Sequence, residues 1–82
     1  MWTEAFLEYL TLERNYSLRT VEEYRDDLNA FESYYKKVDS TLSWETIDGD
    51  VVRDWMVSMM EAGRTATTVN RRLSALRTFY RY

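Results

Sequence analysis

Apolar residues recur at spacings of three and four from one end of this 82-residue chain to the other, and no proline interrupts them. A period near 3.6 is the signature of amphipathic helices, and strand-like alternation is rare, so the chain reads as all-α. The spacing predicts four helices, at about residues 3–14, 18–36, 49–62 and 66–82, packed as a compact four-helix bundle that occupies residues 1–82 as one domain. Thirteen aromatic residues (seven Tyr, three Trp, three Phe) supply large apolar area per residue, enough for a chain this short to build a core without staples.

The first helix takes Thr3 as its N-cap and places Trp2, Phe6, Tyr9 and Leu10 on one stripe; Asn15 and Tyr16 then turn the chain. The second starts after Ser17 or Thr20. Both residues can cap, and Thr20 followed by Glu23 fits a capping box. Its stripe of Val21, Tyr24, Leu28, Phe31 and Tyr35 falls within about 80° of arc at 100° per residue. Lys36 to Thr46 is a polar connection, with Leu42 and Trp44 available to fold onto the core. The third helix follows Asp48 as N-cap and stops at Gly63, suited to a left-handed C-terminal cap. In the fourth, after Thr65, the buried stripe is Val69, Leu73, Leu76 and Tyr80, with Phe79 at its margin.

Several functions are excluded by what is missing. Without cysteine there is no disulfide framework, no zinc finger and no thiol chemistry. Histidine, the usual proton shuttle and metal ligand, is absent, which argues against an independent enzyme or a metal cofactor. With only Gly49 and Gly63 there is no glycine-rich loop to cradle phosphate, and no cofactor is expected. No apolar run approaches the roughly 18 residues of a membrane span, and acids rather than a basic region occupy Met1 to Glu8, so the expected location is the cytoplasm with no membrane partner.

Charge is distributed unevenly. The net is −3, yet residues 1–63 hold six Lys and Arg against all fourteen Asp and Glu, a balance of −8, while residues 64–82 hold five arginines and no acid. A basic terminal segment is mounted on an acidic body. Within the fourth helix, Asn70, Ser74, Arg77 and Arg81 line one flank, with Thr67, Arg71 and Thr78 beside them. Arg can bond guanine bidentately, Asn can bond adenine, and Ser adapts to either, so this flank has the chemistry to read base edges. A solvated arginine face is the alternative from the residues alone.

Two helix starts look alike: Ser17-Leu18-Arg19-Thr20-Val21 and Thr65-Ala66-Thr67-Thr68-Val69. Each offers unpaired N–H groups, the positive end of a helix dipole and short hydroxyls to a phosphate, although capping alone accounts for the hydroxyls. Arg19 beside the first, and Arg64, Arg71 and Arg72 beside the second, add what capping does not require. Met56 and Met60 remain open between burial and a protein-interaction edge, since flexible thioethers suit adaptable surfaces.

Tyr9-Leu10, Glu13-Arg14, Ser17-x-x-Thr20-x-x-x-Tyr24-x-x-Asp27-Leu28-x-x-Phe31 and the run Thr68-Val69-Asn70-Arg71-Arg72-Leu73-Ser74-Ala75-Leu76-Arg77-Thr78-Phe79-Tyr80-Arg81-Tyr82 resemble the core-binding domain of Xer-type tyrosine recombinases and phage integrases. The resemblance implies a SAM-like four-helix fold forming half of a clamp on double-stranded DNA, with the second and fourth helices toward the major groove. It places Arg19 and Thr20 against backbone, and Thr67, Thr68, Asn70, Arg71 and Arg72 against backbone or bases, with Ser74 and Arg77 farther along the groove. With Arg64 and Arg81, these are the candidate DNA-binding residues. It further implies that cleavage and rejoining belong to a separate C-terminal catalytic domain, so that this chain is non-catalytic and Tyr82 is not a nucleophile; whether the chain is cut from a longer protein stays open, an ending at Tyr82 without a cap favouring it. Other recombinase protomers on DNA would be partners, while the isolated domain is expected to be monomeric. Family members are commonly more basic here, a departure that predicts weak binding by the isolated piece. The other reading, of a different class, is a helical protein-interaction module using the Met56 and Met60 edge; a helix-turn-helix repressor is a third, with elements longer than that motif usually has.

Overall fold

A computed structural model describes residues 2–82. Four helices occur in the order α1 (Trp2–Leu12), α2 (Leu18–Val38), α3 (Gly49–Glu61) and α4 (Ala66–Arg81), with no strand among the described residues. The all-α, four-helix expectation holds. No helix among them is long and apolar enough to cross a membrane.

The helix ends follow from local chemistry. Ser17, not Thr20, caps α2: its Oγ accepts from the Thr20 N–H at 3.2 Å, and Thr20 becomes the third residue of the helix. Asp48 Oδ1 accepts from the N–H groups of Asp50 (3.0 Å) and Val51 (3.1 Å), and Thr65 Oγ1 from that of Thr68 at 3.3 Å. Gly63, at φ 85°, ends α3: its own N–H donates to the Met60 carbonyl and that of Arg64 to the Met59 carbonyl, both at 3.1 Å, the pair of bonds made by a left-handed glycine cap. Asn15, at φ 53°, reverses the chain after α1. One expected cap fails. Thr3 lies inside α1, which already includes Trp2 and ends at Leu12 rather than Arg14.

α2 packs against each of the other three helices and carries the centre of the core. Phe6, Leu10, Leu28, Phe31 and Tyr35 are wholly buried. Around them runs a continuous aromatic chain, Trp55 to Phe31 (4.9 Å between centroids), Phe31 to Trp44 (5.8 Å), Trp44 to Phe79 (4.8 Å) and Phe79 to Phe6 (5.2 Å), which joins α3, α2, the α2–α3 connection, α4 and α1. Trp44 thus folds inward as expected, and Leu42 packs, partly buried, against the core.

Two stripes need correction. On α1, Leu7 is buried while Trp2 is mostly exposed. On α4 the buried face is Val69, Ala75, Leu76 and Phe79; Tyr80 is 48% exposed and Leu73 only half-buried. The α4 face is turned toward Phe79 because Trp44 and Phe6 converge on it from other elements. Tyr80 lies over the same connection and donates its hydroxyl to the Trp44 carbonyl at 2.8 Å.

Candidate nucleic-acid interface

α4 buries one side, and that decides what its opposite side offers. Thr67, Asn70, Ser74, Arg77 and Arg81 are all exposed and fall within about 80° of arc at the helical period. None of them forms an ion pair or a side-chain hydrogen bond with another described residue. From Thr67 to Arg81 the stripe is about 21 Å long at 1.5 Å per residue. Arg64 is exposed just before the helix.

Arg71 and Arg72, next to this stripe, are held differently. Arg71 Nη2 donates to Asp27 Oδ1 across the α2–α4 interface at 2.9 Å, with its side chain half exposed and that of Asp27 only 3% exposed. This bond raises the Arg71 pKa, through the hydrogen bond first and the carboxylate charge second. Arg72 is mostly buried, with Nε 3.7 Å from the same Asp27 oxygen and Nη1 3.7 Å from the Met59 sulfur. Burial lowers its pKa, and Arg64 adds repulsion in the same direction. Asp27 is the one buried charged residue of the described chain. It interrupts the charge pattern as an acid between the arginines and the core, a role the spacing did not disclose; its position immediately before Leu28, at the edge of the α2 stripe, was the available sign.

A small cleft between α2 and α4 is lined by Glu23, Tyr24, Asp27, Arg71, Ser74 and Ala75. Glu23 in turn pairs with Arg19 one turn earlier, Nε to Oε1 3.6 Å, and Arg19 is 90% exposed along its side chain. The two similar helix starts also match in three dimensions. Ser17 and Thr20 hydroxyls stand 3.0 Å apart, Thr65 and Thr68 hydroxyls 3.2 Å apart, and in each pair the first oxygen caps the helix. Thr20 and Thr68 are half-buried.

Met56 and Met60, one turn apart on α3, differ in exposure. Met56 is half-buried in a groove between α3 and α4 formed with Val52, Leu73, Leu76, Arg77 and Tyr80, whereas Met60 is 61% exposed outside it.

The family model of the phage integrase N-terminal SAM-like domain matches residues 3–82. The chain belongs to that family. Among curated relatives, this SAM-like domain is 40% identical over 83 residues to the tyrosine recombinase XerC of Pelotomaculum thermopropionicum, covering 96% of this chain and 27% of the relative. It is 35% identical over 78 residues to XerC of Lacticaseibacillus casei (95% of this chain, 26% of the relative) and 28% identical over 79 residues to the tyrosine recombinase XerD of Oceanobacillus iheyensis (96% and 27%). The domain therefore spans about a quarter of the length of these recombinases. No solved structure matches it significantly.

Proposed function

We propose that this domain is the N-terminal, non-catalytic clamp half of a site-specific tyrosine recombinase or integrase, gripping double-stranded DNA and positioning a separate catalytic domain for recombination or integration. The observation that carries the reading is the acid-free stripe of Thr67, Asn70, Ser74, Arg77 and Arg81, exposed along one side of α4. A helix fits the major groove of B-DNA, where Arg and Asn can discriminate bases, and a stripe of about 21 Å would follow roughly six base pairs at 3.4 Å each. Arg64, just before α4, and Arg19, in the first turn of α2, are the phosphate contacts, and Thr20 and Thr68 stand at helix starts whose dipoles favour an anion. Tyrosine recombinases are what the relatives are named for, and membership of the SAM-like family supports the assignment.

A second reading, docking of a protein along α3, draws on the exposure of Val57 and Met60. Backbone amide mapping with a duplex oligonucleotide separates the two. DNA binding moves the signals of Arg19, Thr67, Asn70, Ser74, Arg77 and Arg81, and an Arg77→Gln, Arg81→Gln double variant weakens binding while leaving the helical spectrum intact. Shifts confined to α3, or affinity unchanged in the double variant, would refute the DNA-gripping role.

A further inference from the structure

We propose that Asp27 is a positioning residue that converts Arg71 from a generic phosphate contact into a base-reading one. The inference rests on the DNA-binding role just proposed and adds a division of labour among the arginines.

The geometry is unusual for a residue whose task is charge. Asp27 is 3% exposed and holds Arg71 at 2.9 Å, so one end of the guanidinium is tethered from inside the protein while half of the side chain remains in solvent. Arg72 lies behind the same oxygen, at 3.7 Å, and is 17% exposed. Burying a carboxylate is costly unless opposite charge compensates it, and here two arginines do so. Asp27 in return subtracts a unit of positive charge from the surface meant for a polyanion.

That subtraction discriminates between the two kinds of DNA contact. A phosphate contact is governed by net charge and accepts many rotamers, so pairing the arginine with a buried acid only weakens it. A base-edge contact depends on the plane and direction of the guanidinium, and restricting an otherwise mobile side chain in advance favours it. Ser74 and Glu23 line the same cleft as Arg71, which adds a hydroxyl and a second carboxylate to it. By contrast Arg64, Arg77 and Arg81 have no carboxylate partner among the described residues, and Arg19 has only an exposed one, so none is held by a buried acid.

The test is selection from a library of 20-base-pair duplexes with a randomised centre, followed by titration of the selected and a scrambled duplex. Asp27→Asn is expected to raise affinity for the scrambled duplex, to steepen its salt dependence by about one unit of slope, and to reduce preference for the selected one. Arg71→Lys, which keeps the charge and can keep the ion pair but lacks the planar fork, is expected to lose discrimination by about 5- to 140-fold, the range spanned by one bidentate base contact. A merely structural Asp27 would lower affinity for both duplexes in proportion. Equal loss on both duplexes in Asp27→Asn, or full discrimination in Arg71→Lys, overturns the proposal; should Asp27→Asn not fold, Arg71→Lys decides. A wild-type domain that binds duplex without any preference overturns this inference alone, whereas one that binds no duplex overturns the DNA-gripping role beneath it.

Discussion

Under the proposed function, salt dependence counts the arginines that meet phosphate, and the structure lowers the expected count. Six arginines belong to the candidate interface: Arg19, Arg64, Arg71, Arg72, Arg77 and Arg81. Two are withdrawn, Arg71 because it is tied to a buried carboxylate at 2.9 Å and Arg72 because its side chain is 17% exposed. Arg19 stays in the count, since its 3.6 Å pair with Glu23 is solvent-exposed and such pairs are broken at little cost. At a slope of about −0.9 per phosphate, four contacts predict a slope of log K on log salt of about −3.6, against about −5.4 for six. Between 50 and 200 mM salt that is roughly a 150-fold loss of affinity instead of about 1,800-fold. Fluorescence anisotropy of a labelled 20-base-pair duplex, titrated at four or five concentrations of potassium chloride, resolves the two values. A slope steeper than about −5 would mean that Arg71 and Arg72 leave Asp27 to reach the backbone, and a flat dependence would remove phosphate contacts altogether.

Two further outcomes follow from the core. The Tyr35 hydroxyl is wholly buried with no hydrogen-bond partner, and burial pushes its pKa up to about 12, so Tyr35→Phe is expected to stabilise the domain by about 1 kcal/mol in urea denaturation at pH 7. Because the unfolded tyrosine ionises near 10 while the native one holds its proton to about 12, the native state binds more protons over that window; wild-type stability falls as pH rises from about 10, by roughly 1.4 kcal/mol from Tyr35 at pH 11, and the variant lacks that share of the fall. Phe79→Ala is expected to cost about 3–5 kcal/mol and to unfold the domain or nearly so, whereas Tyr80→Ala, losing a half-exposed ring and one bond to the Trp44 carbonyl, costs about 1–2 kcal/mol; comparable losses in thermal melts would refute the placement of α4.

Which parts of this arrangement could be read from the residues depends on how far each determinant reaches. Ser17, Asp48 and Thr65 each cap by bonding an N–H two or three residues on, and Gly63 closes α3 through bonds to Met60 and Met59, so three of these positions are visible in the sequence and Ser17 is one of two candidates there, Thr20 being the other. The stripes of α2 and the exposed flank of α4 were visible for the same reason, being properties of a single helix. Thr3 misled because a capping residue type says nothing of whether the chain before it is already helical. Phe79 and Tyr80 were exchanged because the rotation of α4 is set by Trp44, thirty-five positions away in sequence from Phe79, and by Phe6, at the other end of the chain. Arg71 and Arg72 read as free cations because the acid that engages them is on another helix. The distinction among the arginines is therefore tertiary, even though their presence is plain in the sequence.

An acidic body and a buried acid within the basic face act in the same direction under the proposed function. The net charge of −3 opposes a duplex while the acid-free α4 favours one, and Asp27 limits what even the α4 face gains from charge alone. Weak attraction to arbitrary DNA follows. For a free domain that would be a defect, but this chain corresponds to about a quarter of its relatives, and under the proposed function tethering to a separate catalytic domain would supply an effective concentration in the millimolar range for a short flexible linker. At such a concentration a weak contact is occupied, and discrimination rather than affinity becomes the quantity worth holding in place. A carboxylate that gives up attraction in exchange for a fixed guanidinium is consistent with that division, and it accounts for an acid being placed where charge alone would favour none.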